Sequence, residues 1–199
     1  GGQDVLEHSL LAAGREDLKT ALLGPLPDAD FPEDLPAAEA ELVKGSTVSV
    51  IIPALDVESS IAETLAAVFR SSAHEVIVVD GGSTDRTVEI AKAAGAQVTP
   101  SPKGRASQMN NGAAKASGEF LLFLHADTLP PENFPDIIAR ILNRPQVALG
   151  AFRFMLRGQM GAAQLIETLV SLRCRFLGTP YGDQGIFIRR CMFRHLAGF

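Results

Sequence analysis

Short apolar runs, rich in β-branched and aromatic residues and cut off by turn-forming residues, constrain this chain most. Residues 48–52 (Val-Ser-Val-Ile-Ile) are closed by Pro53, and residues 76–79 (Val-Ile-Val-Val) by Asp80-Gly81-Gly82. Residues 120–124 (Phe-Leu-Leu-Phe-Leu) and 186–188 (Ile-Phe-Ile) are apolar throughout. Such runs read as strands buried on both faces. Between them lie segments of helical period. Over 59–70 the apolar positions are Ile61, Leu65, Val68 and Phe69. Ser83 or Asp85 can cap a helix reaching about Ala94. Small residues fill a helix over 105–116, and Pro131 opens another that runs to Leu142. Residues 96–98 read as a weak strand, 147–156 as a strand, and 162–177 as a helix with Leu165, Ile166, Leu169, Leu172 and Phe176 as its apolar face. Strands alternating with helices of this length predict an α/β fold with a mostly parallel sheet and helices on both faces.

Charge divides the chain. Of a net −5 over 199 residues, residues 1–45 carry 10 acidic against 3 basic side chains, and residues 46–199 carry 13 against 15. From residue 143 onward there are eight arginines and no lysine, so an anionic substrate belongs with the second part. The acidic total disfavours a nucleic-acid binder. Residues 5–23 have a helical pattern weakened by Gly14, and Pro25, Pro27, Pro32 and Pro36 then force an extended stretch. Residues 1–45 are therefore expected to be an acidic, Pro-rich extension or the tail of a preceding domain. Cys174 and Cys191 lack metal or redox spacing. With no basic n-region and no long apolar run, neither a signal peptide nor a membrane span is expected, and the protein is placed in the cytoplasm.

In an open α/β sheet, ligands bind beyond the carboxyl ends of the strands. Here those ends are residues 53–58, 80–85, 102–105 and 125–128, and acids recur among them: Asp56, Asp80 and Asp127. Asp80 and Asp127 follow apolar strands and read as functional, whereas Asp85 reads as a helix cap. His125 and Asp127 are two apart, which on an extended segment turns both the same way. An Asp with a nearby His, completed by a diphosphate, is a plausible weak site for Mg or Mn. A rim histidine hydrogen-bonded without metal is the alternative. GxGxxG, GxxxxGK[ST] and GxSxG are absent from their expected places, which disfavours dinucleotide binding, P-loop hydrolysis and α/β-hydrolase chemistry.

Four motifs in order, Val48-Ser-Val-Ile-Ile-Pro-Ala54, Val78-Val-Asp-Gly-Gly-Ser-Thr-Asp85, Gly104-Arg-Ala-Ser-Gln-Met-Asn-Asn-Gly112 and Leu121-Leu-Phe-Leu-His-Ala-Asp-Thr128, resemble family 2 glycosyltransferases of the GT-A fold. The resemblance covers residues 46–199, and with Tyr181-Gly-Asp-Gln-Gly-Ile-Phe187 it looks like the rSAM/selenodomain-associated bacterial branch. It implies a nucleotide-diphosphate sugar donor, Mg or Mn, and inverting transfer to an acceptor of unknown identity. It places Pro53, Asp56 and Asp80 in the nucleoside pocket, Lys103 and Arg105 at the base or phosphates, and Asp127 on the metal as the last Asp of a D-x-D motif. His125 stands where that motif begins with Asp, and Gly81 where an acid is usual. The family's general base is an acid expected beyond Phe199, so the chain is expected to be C-terminally truncated. Asp183 is read as an acceptor-site or catalytic-pocket residue, with a turn as the alternative. Tyr181 could stack on a sugar, and Arg189 and Arg190 could meet a diphosphate. A lipid-linked acceptor would bring the protein to a membrane surface, which the late arginines suit. Residues 28–35 weakly resemble the end of a nucleotidyltransferase-like domain. The departures leave a second reading, a degenerate GT-A module that binds nucleotide or partner without turnover.

Overall fold

A computed structural model describes residues 19–22, 46–144, 147–152 and 185–199. In chain order the elements are β1 (Lys19–Leu22), β2 (Val48–Ala54), α1 (Ile61–Phe69), β3 (Glu75–Asp80), α2 (Thr87–Ala93), β4 (Gln97–Pro100), α3 (Arg105–Lys115), β5 (Phe120–Phe123), α4 (Phe134–Leu142), β6 (Val147–Ala151), β7 (Ile186–Arg189) and α5 (Arg190–His195). Among the described residues the strands form one seven-stranded sheet in the order β1-β6-β7-β5-β2-β3-β4. Of these described strands, β7 alone runs against the rest, since it is antiparallel to both β5 and β6 while the other pairings are parallel.

The alternation of side chains along β2 sorts the core into two layers. Val48, Val50 and Ile52 meet Ile61, Leu65 and Val68 of α1 and Phe134 and Ile138 of α4 on one face. Ile51, with Ile77, Leu121 and Phe123 from its neighbours, meets α3 and Phe193 of α5 on the other. Helices therefore cover both faces, as the buried apolar runs require. The closest approach is at Gly112, where a Cβ would lie 2.5 Å from Ile51 Cγ2 and 2.9 Å from Val79 Cγ2. Only glycine lets α3 lie this near β2 and β3.

Several expectations need correction. The helix expected over 5–23 ends instead in strand β1, which pairs with β6. An unpaired sheet edge gives this backbone partners that outweigh its local helical pattern. Residues 5–18 of that segment lie outside the described residues, as do the helix expected over 162–177 and residues 153–156 of the expected strand. Pro53 does not close β2 but lies within it. The Ile51 carbonyl accepts from Leu124 on the β5 side and the Ala54 carbonyl from Gly81 on the β3 side, so the alternating backbone turns the Pro53 nitrogen toward β5. The paired register of β5 ends opposite Ile51, so no ladder bond is lost there. Helix α4 starts at Phe134 rather than Pro131, with Pro135 in its first turn.

Candidate functional site

Because β5, β2, β3 and β4 are adjacent and parallel, their carboxyl ends share one rim. Two loops there are joined rung by rung. Asp56, in the left-handed region at φ 50°, accepts through Oδ1 from the Thr84 N–H at 2.7 Å and the Thr84 hydroxyl at 3.2 Å. Its own N–H donates to Ser83 Oγ at 3.0 Å. Val57 N–H donates to Thr87 Oγ1 at 2.8 Å, and Glu58 N–H to Asp85 Oδ2 at 3.0 Å. Glu58 Oε2 in turn accepts from the Arg86 N–H at 3.0 Å. An Asp tolerates a left-handed backbone better than most residues, and this one uses it to tie β2's exit to β3's.

Asp80 ends β3 and turns its carboxylate onto the loop that follows. Oδ2 accepts from the Gly82 N–H at 3.1 Å and Oδ1 from the Ser83 N–H at 3.1 Å. Asp85 accepts from the Thr87 N–H at 2.9 Å, but Arg86 occupies the N-cap of α2 and makes no side-chain cap bond, so neither Ser83 nor Asp85 is the helix cap that was expected, and Asp85 instead closes a turn ahead of it. The Thr87 hydroxyl and the Glu58 and Thr87 N–H groups hold its carboxyl below the usual range, against a smaller opposing effect of desolvation.

Helix α3 sews the strand ends together from below. Gln108 Nε2 donates to the carbonyls of Ala54 and Val79, both at 2.8 Å, and Asn111 Nδ2 donates to the Pro100 carbonyl at 2.8 Å. Asn110 holds both backbone groups of Phe199, accepting from its N–H and donating to its carbonyl, each at 3.0 Å. Lys103 and Arg105, both exposed, flank Gly104 between β4 and α3.

Past β5, the Thr128 N–H donates to the His125 carbonyl at 3.2 Å, so residues 125–128 form a turn. The extended segment that was to align His125 with Asp127 is thus absent. The pair occupies a turn, with Asp127 exposed and His125 half-buried. Thr64 of α1, 1% exposed, fixes this turn by donating to the Ala126 carbonyl at 2.9 Å. Pro53, Asp56, Asp80, Lys103, Arg105, His125 and Asp127 all fall at this rim. Asp183 and Tyr181 lie outside the described residues. Arg190 instead donates to the Gly118 carbonyl at 2.7 Å, at the opposite end of β5, away from this rim.

Among the described residues no three His, Cys, Asp or Glu side chains come together as a metal cage. One exposed carboxylate, Asp127, nevertheless fits a hard divalent cation whose remaining ligands are phosphate oxygens and water. Sequence reasoning quoted Gln108 inside a motif without giving it a task, and passed over Thr64. The signal was present: Gln108 and Gly112 are four apart on one face of α3, and that face meets the sheet.

Comparison with known proteins follows the same boundaries. A family profile described as Glycosyl transferase family 2 matches residues 49–192. Glucosyl-3-phosphoglycerate synthase of Mycolicibacterium smegmatis is 34% identical over 121 residues, covering 55% of this chain and 38% of that protein. An uncharacterised glycosyltransferase of Mycobacterium bovis is 31% identical over 99 residues, covering 49% of this chain and 44% of that protein. The chain thus spans less than half the length of these relatives. The crystal structure of glucosyl-3-phosphoglycerate synthase from Mycobacterium tuberculosis with Mn2+, UDP and glucosyl-3-phosphoglycerate shares the fold, with a TM-score of 0.58 at 20% identity. That match covers 86% of this chain and 65% of the synthase chain.

Proposed function

Because the chain belongs to glycosyl transferase family 2, we propose that its sheet rim binds a nucleoside-diphosphate sugar, UDP-linked as in the similar synthases, and that the whole protein passes the sugar to an acceptor hydroxyl. The observation that carries this reading is the set of carboxylates on three adjacent strand ends, Asp56 after β2, Asp80 on β3 and Asp127 after β5, beside Lys103 and Arg105. The joined loops 54–58 and 80–87 hold the nucleoside. Lys103 and Arg105 face the diphosphate, whose charge grows as it leaves. Asp127 would hold Mg or Mn, with His125 two residues before it in the same turn, and the cation when bound would neutralise the leaving diphosphate. Inversion is a single displacement: the acceptor oxygen bonds to the anomeric carbon as the bond to the diphosphate oxygen breaks. A carboxylate takes the acceptor's proton. Asp183 is the candidate for that base in this chain, and an acid following Phe199 is the one the family resemblance implies.

Release of UDP from UDP-glucose with Mn, in the presence of 3-phosphoglycerate or of a polyprenyl phosphate, tests this. Transfer to one of the two, lost in Asp127→Ala, is expected. The polyprenyl arm decides on a lipid-linked acceptor, which would be reached at a membrane surface. One observation favours a second reading, a nucleotide-binding module without turnover: His125 stands where the family's metal-holding motif begins with an acid, which leaves Asp127 as the one carboxylate of residues 125–128. UDP binding with no sugar transfer to any acceptor would favour that reading.

A further inference from the structure

Gln108 is buried beneath the rim, 5% exposed on α3, and its one side-chain nitrogen bonds to two different strand ends. Its contacts do more than satisfy buried carbonyls. The Ala54 oxygen already accepts from the Gly81 N–H at 2.9 Å, so the Gln108 bond is an additional one. Its partners are the last residue of β2 and the penultimate residue of β3, the points from which the Asp56 and Asp80 loops depart. The carboxamide also lies directly under Gly81, where a Cβ would come within 3.1 Å of Nε2 and 3.3 Å of Oε1. Glycine at 81 thus lets the Asp80–Ser83 turn settle onto the amide plane. Met109, the next residue on α3, packs against the core on that face, so an apolar side chain could fill space here but could not clamp two carbonyls.

We propose that Gln108 is a positioning residue for donor binding: its carboxamide fixes the spacing of the Asp56 and Asp80 loops and so sets the affinity for a nucleoside diphosphate without contacting it. The inference rests on the reading of this rim as the donor site. Its chemistry is specific to an amide. Two N–H groups on one nitrogen reach two oxygens, whereas a methionine supplies none and an ionised glutamate repels both.

The test uses Gln108→Met, Gln108→Glu and Gly81→Ala in the full chain. UDP binding is measured by titration calorimetry at a temperature well below melting, and hydrogen exchange is followed at the amides of 54–58 and 80–84 without nucleotide. Gln108→Met should bind UDP about tenfold more weakly, the equivalent of one lost hydrogen bond, and exchange faster at those two loops. Gln108→Glu should regain affinity, relative to the unsubstituted protein, as pH falls and its carboxyl gains a proton to donate. Gly81→Ala should move both readouts the same way by less. Unchanged affinity and exchange in folded variants would overturn the proposal, as would lowered melting temperature alone. If the unsubstituted protein binds no nucleoside diphosphate, the donor reading fails. The exchange data then decide separately whether Gln108 sets the loops.

Discussion

The two ends of this sheet use acidic side chains in opposite ways. At the lower rim, where β2 and β3 begin, protein donors converge on one carboxylate. Glu75 Oε1 accepts from Ser49 Oγ at 2.6 Å, Ser117 N at 2.7 Å, Ser117 Oγ at 2.8 Å and Gly118 N at 3.3 Å. Ser49 also accepts from the Gly118 N–H at 2.9 Å, and His74 Nε2 lies 3.2 Å from Ser117 Oγ. Burial works to raise the Glu75 pKa, but the hydrogen bonds from Ser49, Ser117 and Gly118 outweigh it and hold the group below its ordinary value. At the upper rim the acids are spread over three strands, and two of them, Asp56 and Asp127, stand exposed. An acid at a strand end is therefore no site signal by itself. Asp56 and Asp80 also accept from loop N–H groups; what separates the rims is that the lower donors converge on one half-buried carboxylate, whereas the upper acids are spread over three adjacent strand ends and leave Asp127 exposed.

Substitutions should split along this line. The largest effect belongs to Asp127→Ala, which should lower sugar transfer by about 10³-fold while changing stability by less than about 0.5 kcal/mol, read from initial rates and thermal melting. Glu75→Ala should do the reverse. It removes a charged acceptor from several donors and should cost about 2 kcal/mol in denaturant unfolding, with UDP affinity retained in the folded fraction. Loss of UDP binding in folded Glu75→Ala would break the contrast. Thr64→Val, which leaves the buried Ala126 carbonyl without its hydroxyl donor, should cost about 1 kcal/mol and raise the Mn concentration needed for half-maximal activity about threefold.

The smallest effect is in pH. The Glu75 pKa is lowered in the folded state, so its contribution is fully present above its ordinary value of 4.5 and is lost as pH falls through the lower folded value. Stability of the unsubstituted protein should therefore drop across that acid window, and Glu75→Gln should show a flatter limb there.

The sequence made the sheet legible because its central strands are buried on both faces, which leaves unbroken runs such as Phe120–Phe123. It made the rim legible because Asp80 and Asp127 follow such runs. Strand β1 was hidden, since its pairing with β6 joins residues far apart in sequence and leaves no local period. The turn at 125–128 was hidden for a related reason: a His-Ala-Asp triplet reads as extended until the Thr128 N–H is seen to close on His125. Gln108 was legible only in part: its spacing from Gly112 marks one face of α3, but a glutamine in a helix ordinarily faces water, and the close approach of α3 at Gly112 is what shows which way this one points.

Calorimetric titration of UDP into the full chain, with and without Mn, beside Asp127→Ala tests the central claim most directly. The account predicts saturable binding that Mn strengthens in the unsubstituted protein and leaves unchanged in Asp127→Ala. Absence of binding by UDP, GDP and dTDP alike, or an equal Mn effect in both proteins, would contradict it.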